Sequence, residues 1–553
     1  MYRPDLSPVG DSLALSSLVA ALPLLTLFVL LGGLRLKAHW AGLASLGVAV
    51  GVAVVAYGMP VGLALLSGTE GAAFGLFPIM WIVLAALWVY QLTVHSGRFE
   101  DLRRAFDLVS GDARVQALII AFCFGALLEA LAGFGAPVAI TGVMLMAVGF
   151  TPVRAAVTVL VANTAPVAFG AIATPIITAG SLTGIPYEDI GAYVGRQTPL
   201  LALFVPLLLV TLVDGRRGIR QTWPVALVCG VAFAVAQFVS ATYISVELTD
   251  IVASLVALAA VVLFLRVWQP EPVPESGPVA PDSAPDSTPG SASDSTPGSA
   301  SREGVPWRRV LMAFLPYLVV IGVFSVAKLW DPAKEFLADT DVEVAWPGLD
   351  GEVLTADGER SSTTVYVLPW LSSPGSLLLL CGALVAAVYR IRPWDACREL
   401  VRTVVTLRWA LLTVASVLAL AYVMNLSGQT ITIGTWIAGA GAAFAFLSPV
   451  LGWLGTAVTG SDTSANALFA TLQQTAARKA DLDPTLLVAA NTSGGVVGKM
   501  ISPQNLTIAA TAVGMLGREA ELFRKAIGWS VVLLLVLCVL VFLQAHALSG
   551  MLP

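Results

Sequence analysis

Apolar residues come in long unbroken blocks, near 13–34, 38–58, 72–94, 115–131, 138–150, 155–180, 197–213, 222–242, 247–268, 308–329, 369–389, 406–425, 432–458, 465–476, 484–516 and 527–547. A hydrocarbon core of about 30 Å asks about 20 predominantly apolar residues of a helix. Strands of a membrane barrel would alternate, and these blocks do not. The pattern therefore predicts an all-α polytopic membrane protein of about 12–14 transmembrane helices. Two blocks, 138–150 and 465–476, are too short to cross alone. The first block has span length and follows a polar stretch holding Arg3, Asp5 and Asp11, so it reads as a span and not as a secretory signal.

Composition agrees. Of 553 residues, 57% are hydrophobic and 12% charged, and the mean hydropathy is +0.85. A soluble domain carries about 25% charged residues. The net charge of −5 adds little, and no basic nucleic-acid face is evident. The five cysteines form no CxxC pair, and His39, His95 and His546 stand far apart, so no metal or redox site is expected. Basic residues set the orientation. Arg35 and Lys37, Arg98 to Arg114, Arg216 to Arg220, Arg302 to Arg309, Arg390 to Arg408 and Arg518 to Lys525 can all be cytoplasmic if both termini face outward. Segment 331–368, rich in Asp and Glu, is then an extracytoplasmic loop. Segment 269–305, rich in Pro, Ser and Asp, cannot bury a core and reads as a disordered cytoplasmic linker. It joins two membrane halves, 1–268 and 306–553.

The halves repeat. A shift of 328 residues brings Asn163-Thr164 onto Asn491-Thr492, Gly170 onto Gly498, and Thr174-Pro175 onto Ser502-Pro503. Each Asn-Thr is preceded by a break, Gly133-Phe134-Gly135-Ala136-Pro137 in one half and Gly460-Ser461-Asp462-Thr463-Ser464 in the other. If each break is a hairpin tip, the crossings count to opposite orientations. The first repeat then has a re-entrant hairpin near 115–150 and a broken helix near 155–180. The second has a hairpin near 443–476 and a broken helix near 484–516. Inverted repeats of this kind are a plan of secondary transporters, with sites at the midplane. Gly and Pro breaks free backbone groups that lipid cannot satisfy, so they persist where protein or water covers them. A half-helix N-terminus favours an anion. Simple kinking is the bland alternative, but matched breaks beside matched Asn-Thr pairs argue against it.

Three ionisable residues fall where this plan puts the centre: Glu129, Asp462 and Lys499. Each is costly in lipid and is a functional candidate by default. Lys499 can attract a substrate carboxylate, and Glu129 or Asp462 can carry a proton or join a cation site. The competing account is a structural ion pair of Lys499 with Asp462 or Glu129. Around them Gly135, Asn163, Thr164, Ser461, Thr463, Ser464, Asn491, Thr492, Ser502 and Gln504 offer backbone, hydroxyl and amide groups that suit a hydroxy acid or cap helices. Arg196 and Gln197 are weaker candidates. Trp81, Trp88 and Tyr90 read as packing or an interface belt.

The stretches GFGAPVAIT (133–141), ANTAPVAFGAI (162–172), TGSDTSANALFATLQ (459–473) and AANTSGGVVGKMISPQNLTIAA (489–510) resemble the L-lactate permease family. The resemblance spans most of the chain and fails in the linker and the acidic loop. It implies a secondary active importer of L-lactate, with D-lactate or glycolate as further substrates. Proton symport by alternating access in the cell membrane is implied with it. It also implies kinship with ion-coupled carboxylate transporters, in which Asn163-Thr164 and Asn491-Thr492 are the nearest analogues of ion- and carboxylate-binding tips. The alternatives are a sodium-coupled di- or tricarboxylate carrier, an anion channel, or an intramembrane enzyme. No catalytic or nucleotide-binding motif supports an enzyme or an ATP-driven pump. The partners expected are a small carboxylate, a cation (proton before sodium) and the bilayer. The oligomeric state stays open, a homodimer being one option.

Overall fold

A computed structural model describes residues 1–107, 110, 112–133, 135–270, 306–356 and 358–553. The expected disordered linker falls almost wholly on 271–305 and lies outside the described residues, as does Phe134 at the first hairpin tip. The protein is an all-α membrane protein. Among the described residues, nine helices are long and apolar enough to span a membrane, or up to ten if the bent pair Pro152–Ala162 and Val167–Thr183 counts as one. Ala136–Ala147, Thr249–Leu265 and Pro374–Val388 are shorter apolar helices. The long run Thr198–Ile244 is itself two helices, because Asp214 and Gly215 leave helical geometry, with Gly215 at φ +59°. That break accounts for two apolar blocks where length alone finds one helix.

Part of the molecule is a scaffold. Helices Ala38–Val55 and Val61–Phe74 pack on Pro393–Leu426. Their contact is backbone-close: a Cβ added at Gly71 would lie 2.5 Å from the Leu418 carbonyl oxygen. Lipid provides no hydrophobic drive between helices, so small residues that let backbones approach are how such helices cohere.

A second part is made of two helical hairpins and two interrupted helices. The first hairpin has arms Ala113–Ala132 and Ala136–Ala147, turned at Gly135 with φ +88°. The second has arms Phe444–Thr459 and Asp462–Lys479, turned at Gly460 with φ +79°. The interrupted helices are Pro152–Ala162 with Gly170–Thr183, and Pro484–Gly498 with Pro503–Ala512. The four pieces interlock reciprocally. The return arm Ala136–Ala147 packs on Pro503–Ala512, and Asp462–Lys479 packs on Gly170–Thr183. This crosswise exchange is what two repeats related by a pseudo-two-fold axis produce. Within the second repeat, a Cβ at Gly452 would stand 1.8 Å from the Asn491 carbonyl oxygen, and one at Gly494 2.0 Å from that of Pro449.

The acidic segment is more ordered than a loop. It holds a helix, Asp331–Ala338, and an antiparallel pair, Val342–Ala345 with Val365–Leu368, in register Val342 to Leu368. Tyr2 bridges to Val353 and donates its hydroxyl to the carbonyls of Tyr57 (3.1 Å) and Ser427 (3.0 Å). Tyr366 donates to the Phe77 carbonyl at 2.6 Å. The N-terminus, the 331–373 segment and the turns at Tyr57 and Ser427 therefore share one side of the molecule.

Candidate functional site

The breaks are built by sequence and tied down by side chains. In the first interrupted helix, Ala162 ends the first piece and residues Ala171, Ile172 and Ala173 form a left-handed turn with φ of +45°, +55° and +55°. L-residues pay about 1–2 kcal/mol each for that geometry. The three are buried, and packing around them holds the turn. The two pieces meet at 64°. The carbonyls released here are satisfied from other elements: Gln237 donates to Ala165 (3.1 Å) and Asn466 to Pro175 (3.1 Å). In the second interrupted helix Ser502 is extended and caps Pro503–Ala512, accepting from the Asn505 N–H. Ser502 and the Asn505 amide also donate to the Lys499 carbonyl, at 3.0 and 2.9 Å. Each break is thus a fixed polar feature covered by protein, as a membrane interior requires.

Glu129, at the end of the first hairpin's outgoing arm, and Lys499, at the second break, meet across the repeat interface. The Lys499 ammonium donates to Glu129 Oε1 at 2.5 Å, and both side chains are almost wholly buried. The Glu129 carboxyl lies against Gly170, where an added Cβ would be 3.0 Å from Oε1. The second carboxylate mirrors this placement. Asp462 Oδ1 accepts from Thr456 at 3.3 Å and presses on Gly495, where an added Cβ would stand 1.9 Å away. So each hairpin sets one carboxyl on a glycine of its own interrupted helix. Among the described residues, Glu129 Oε2, Asp462 Oδ2 and Asn505 Oδ1 are buried without a hydrogen-bond partner.

Of the residues marked from sequence, Asn163, Thr164 and Lys499 come together. With Val138, Leu160, Val496, Met500 and Asn505 they enclose about 160 Å³ of atom-free space, too narrow for a water molecule in this conformation. Gly135 borders the same region, since a Cβ there would meet Ile508 at 2.3 Å and Asn505 Oδ1 at 3.5 Å. Thr164 turns its hydroxyl to the Val161 carbonyl. Asn491 and Thr492 do not reach this space. Both donate to Asn466 Oδ1, at 2.9 and 3.0 Å, the same Asn466 that holds the Pro175 carbonyl. Ser461 caps the helix Asp462–Lys479 by accepting from the Ser464 N–H, and Thr463 and Ser464 are buried beside it. Gln504 is exposed at the first turn of Pro503–Ala512 and touches Gly460; with Thr507 and Thr511 it makes an exposed polar stripe along that helix. Gln197 accepts from Ser493 (2.6 Å) and donates to Gln544 (3.2 Å), whereas Arg196 caps the Ala192 carbonyl.

Among the buried acids that the sequence reading missed are Asp250 and Glu70. Asp250 opens the helix Thr249–Leu265, and Glu70 sits in Val61–Phe74 beside the scaffold. An acid inside the apolar block 247–268 was the available signal for Asp250; Glu70 falls just before the block 72–94 and gave none. Asn505 also takes a larger part than its neighbour Gln504, because its side chain points inward.

The family model of L-lactate permease matches residues 16–548. The L-lactate permease of Bacillus subtilis (strain 168) is 41% identical over 99% of this chain and 99% of its own. The glycolate permease GlcA of Escherichia coli (strain K12) is 42% identical over 99% of this chain and 98% of its own. Among solved structures, the Alcanivorax borkumensis YdaH transporter aligns over 88% of each chain at 15% identity, with a TM-score of 0.42.

Proposed function

Because this chain belongs to the L-lactate permease family, we propose that it imports L-lactate, with glycolate or D-lactate as further substrates, by proton symport through alternating access. The observation that carries the reading is the buried Glu129–Lys499 pair at 2.5 Å. With Glu129 ionised, the pair is self-satisfied and a lactate anion would have to displace a like charge. One proton on Glu129 turns the pair into a neutral acid and a free ammonium. A buried ammonium without a partner is costly, and a substrate carboxylate relieves it. The occupied site (ammonium, lactate anion, neutral acid) and the empty site (ammonium, carboxylate) then carry the same net charge. Both can cross between states, while lactate without its proton would bury an excess negative charge.

Asn505 Oδ1 is an acceptor left for the 2-hydroxyl group, with Asn163 and Thr164 beside it. Val138, Leu160, Val496 and Met500 form the apolar wall a methyl group would meet. The site must open from its pinched form to admit a substrate, and the interlocked hairpins are the elements placed to part. Asn491, Thr492 and Asn466 serve as the clamp that joins the repeats. The basic loops face the cytoplasm and both termini face outward, with the 331–373 segment outside. In that orientation the exposed stripe of Gln504, Thr507 and Thr511 lies toward the cytoplasm.

The test is uptake of labelled L-lactate into proteoliposomes under a proton gradient alone and a sodium gradient alone. The proton gradient is expected to drive accumulation in the wild type and none in Lys499→Ala. Accumulation driven by sodium alone refutes proton coupling, and uptake that survives Lys499→Ala refutes the anion anchor.

A further inference from the structure

Asp250 lies in the first turn of Thr249–Leu265 and is fully buried, and neither carboxyl oxygen has a hydrogen-bond partner among the described residues. An acid at the first turn of a helix ordinarily accepts from the free backbone N–H groups there. Asp250 does not, so capping fails to explain it. Its helix packs on Ala113–Ala132, on Thr198–Val239, on the turn Ser240–Ile244 and on Gly170–Thr183. The groups that act on it electrostatically are Glu129, on the first of these helices, and Lys499 from the other repeat, with Gln237 of the second as a polar neighbour. Segments 118–124 and 170–183 contain no charged residue, and Tyr243 is the titratable group of 240–244.

Charge counting sharpens the point. Glu129, Asp250 and Asp462 are three buried acids, and Lys499 is their shared cation, already taken by Glu129. A carboxylate with no partner in a dry interior is far less stable than its neutral acid. Asp250 is therefore equipped to hold a proton beside the one acid whose protonation would free Lys499. Its position also fits a route. Glu247 lies three residues earlier, in the turn preceding the helix, where it accepts from Ser245 (2.7 Å) and Tyr187 (2.8 Å) and pairs with Lys328 at 3.1 Å. Tyr187 and Lys328 belong to the side of the molecule that the orientation above places outside.

We propose that Asp250 is the relay acid that loads Glu129 with the symported proton from the outer side. The transfer is balanced: the Asp250 carboxylic acid gives its proton to the Glu129 carboxylate, and the resulting Asp250 carboxylate regains one from external hydronium. The inference rests on the proton-symport reading, and it goes further by naming the donor and the side from which the proton comes. Asp250 acts through Glu129 and needs no contact with lactate.

The experiment compares wild type, Asp250→Asn, Asp250→Glu and Glu129→Gln in proteoliposomes. Three quantities are read: proton-driven L-lactate accumulation, its dependence on external pH, and lactate-for-lactate exchange at equal pH. Asp250→Asn is expected to slow proton-driven uptake at neutral external pH by roughly 10²-fold, the scale of a lost proton-transfer group. Exchange should persist, because a substrate that enters and leaves with its proton aboard needs no reloading. Lowering external pH should restore uptake in Asp250→Asn by protonating Glu129 directly, and should not restore it in Glu129→Gln. Asp250→Glu should recover proton drive. Wild-type uptake and pH profile in Asp250→Asn overturn the proposal. So does parallel loss of uptake and exchange in both Asp250 variants, which marks a structural role. Absence of proton-driven uptake in the wild type removes the symport reading itself, a different outcome from failure of the relay.

Discussion

Removing Lys499 strands a buried carboxylate, and the size of the penalty follows from the structure. In Lys499→Ala the Glu129 carboxyl keeps its buried position on Gly170 and loses its cation. Breaking a buried pair from one side costs about 3–5 kcal/mol. Lys499→Ala should therefore lose about 3–5 kcal/mol. The double variant Glu129→Gln/Lys499→Ala leaves no stranded charge and should recover most of it. Unfolding titrations in mixed micelles measure all three proteins. A Lys499→Ala loss under about 1 kcal/mol, or a double variant no better than the single, would refute the claim that Glu129 depends on Lys499 alone for its partner.

Gly452→Ala should prevent the close packing of Phe444–Thr459 on Pro484–Gly498 and leave little monodisperse protein on size-exclusion chromatography, since its Cβ would lie 1.8 Å from the Asn491 oxygen; Gly47→Ala, which meets nothing within 4 Å, is the matched control. Asn505→Ala removes the proposed acceptor for the 2-hydroxyl, so the KM for lactate should rise about tenfold, worth about 1.4 kcal/mol, and a KM unchanged within twofold would place the hydroxyl elsewhere. Glu247 stands outside the spanning helices. Burial alone would push its carboxyl up, but Lys328, then Ser245 and Tyr187, outweigh burial and hold it below the usual carboxylate range. A lowered folded-state value contributes stability that is full above the ordinary carboxylate range and is lost as pH falls through the lowered value. Thermal midpoints should therefore drop on acidification below about pH 4, and Glu247→Gln should flatten that acid limb; an unchanged limb in the variant would show that Glu247 is not its source.

Much of the architecture was open to inspection in the residues. Apolar blocks of span length mark membrane helices whatever their partners, because lipid imposes the same length on each. The 328-residue echo of Asn163-Thr164, Gly170 and Thr174-Pro175 located both interrupted helices, since Gly and Pro interrupt a helix through their own backbone chemistry. The acidic segment misled for the opposite reason: its two strands are four residues each and largely exposed, which leaves no run of buried alternation to read.

Within the site, chemistry was legible and partnership was not. The chain announced that Glu129, Asp462 and Lys499 were costly charges, but Lys499 could reach either acid by that reading. The fold chose Glu129, 370 residues away, by docking the first hairpin against the second break. Asn491 and Thr492 looked available for substrate until Asn466 took both. Asp250 drew no notice in the sequence, and it took the packing of its helix on the arm that carries Glu129 to bury it. The amino-acid sequence determines which segments must be helical, where they must break and which charges must be accounted for, because those follow from each residue's own backbone and solvation energetics. Which side chain answers which charge is decided only in the tertiary structure, because it depends on how separately specified helices are rotated and set in depth against one another.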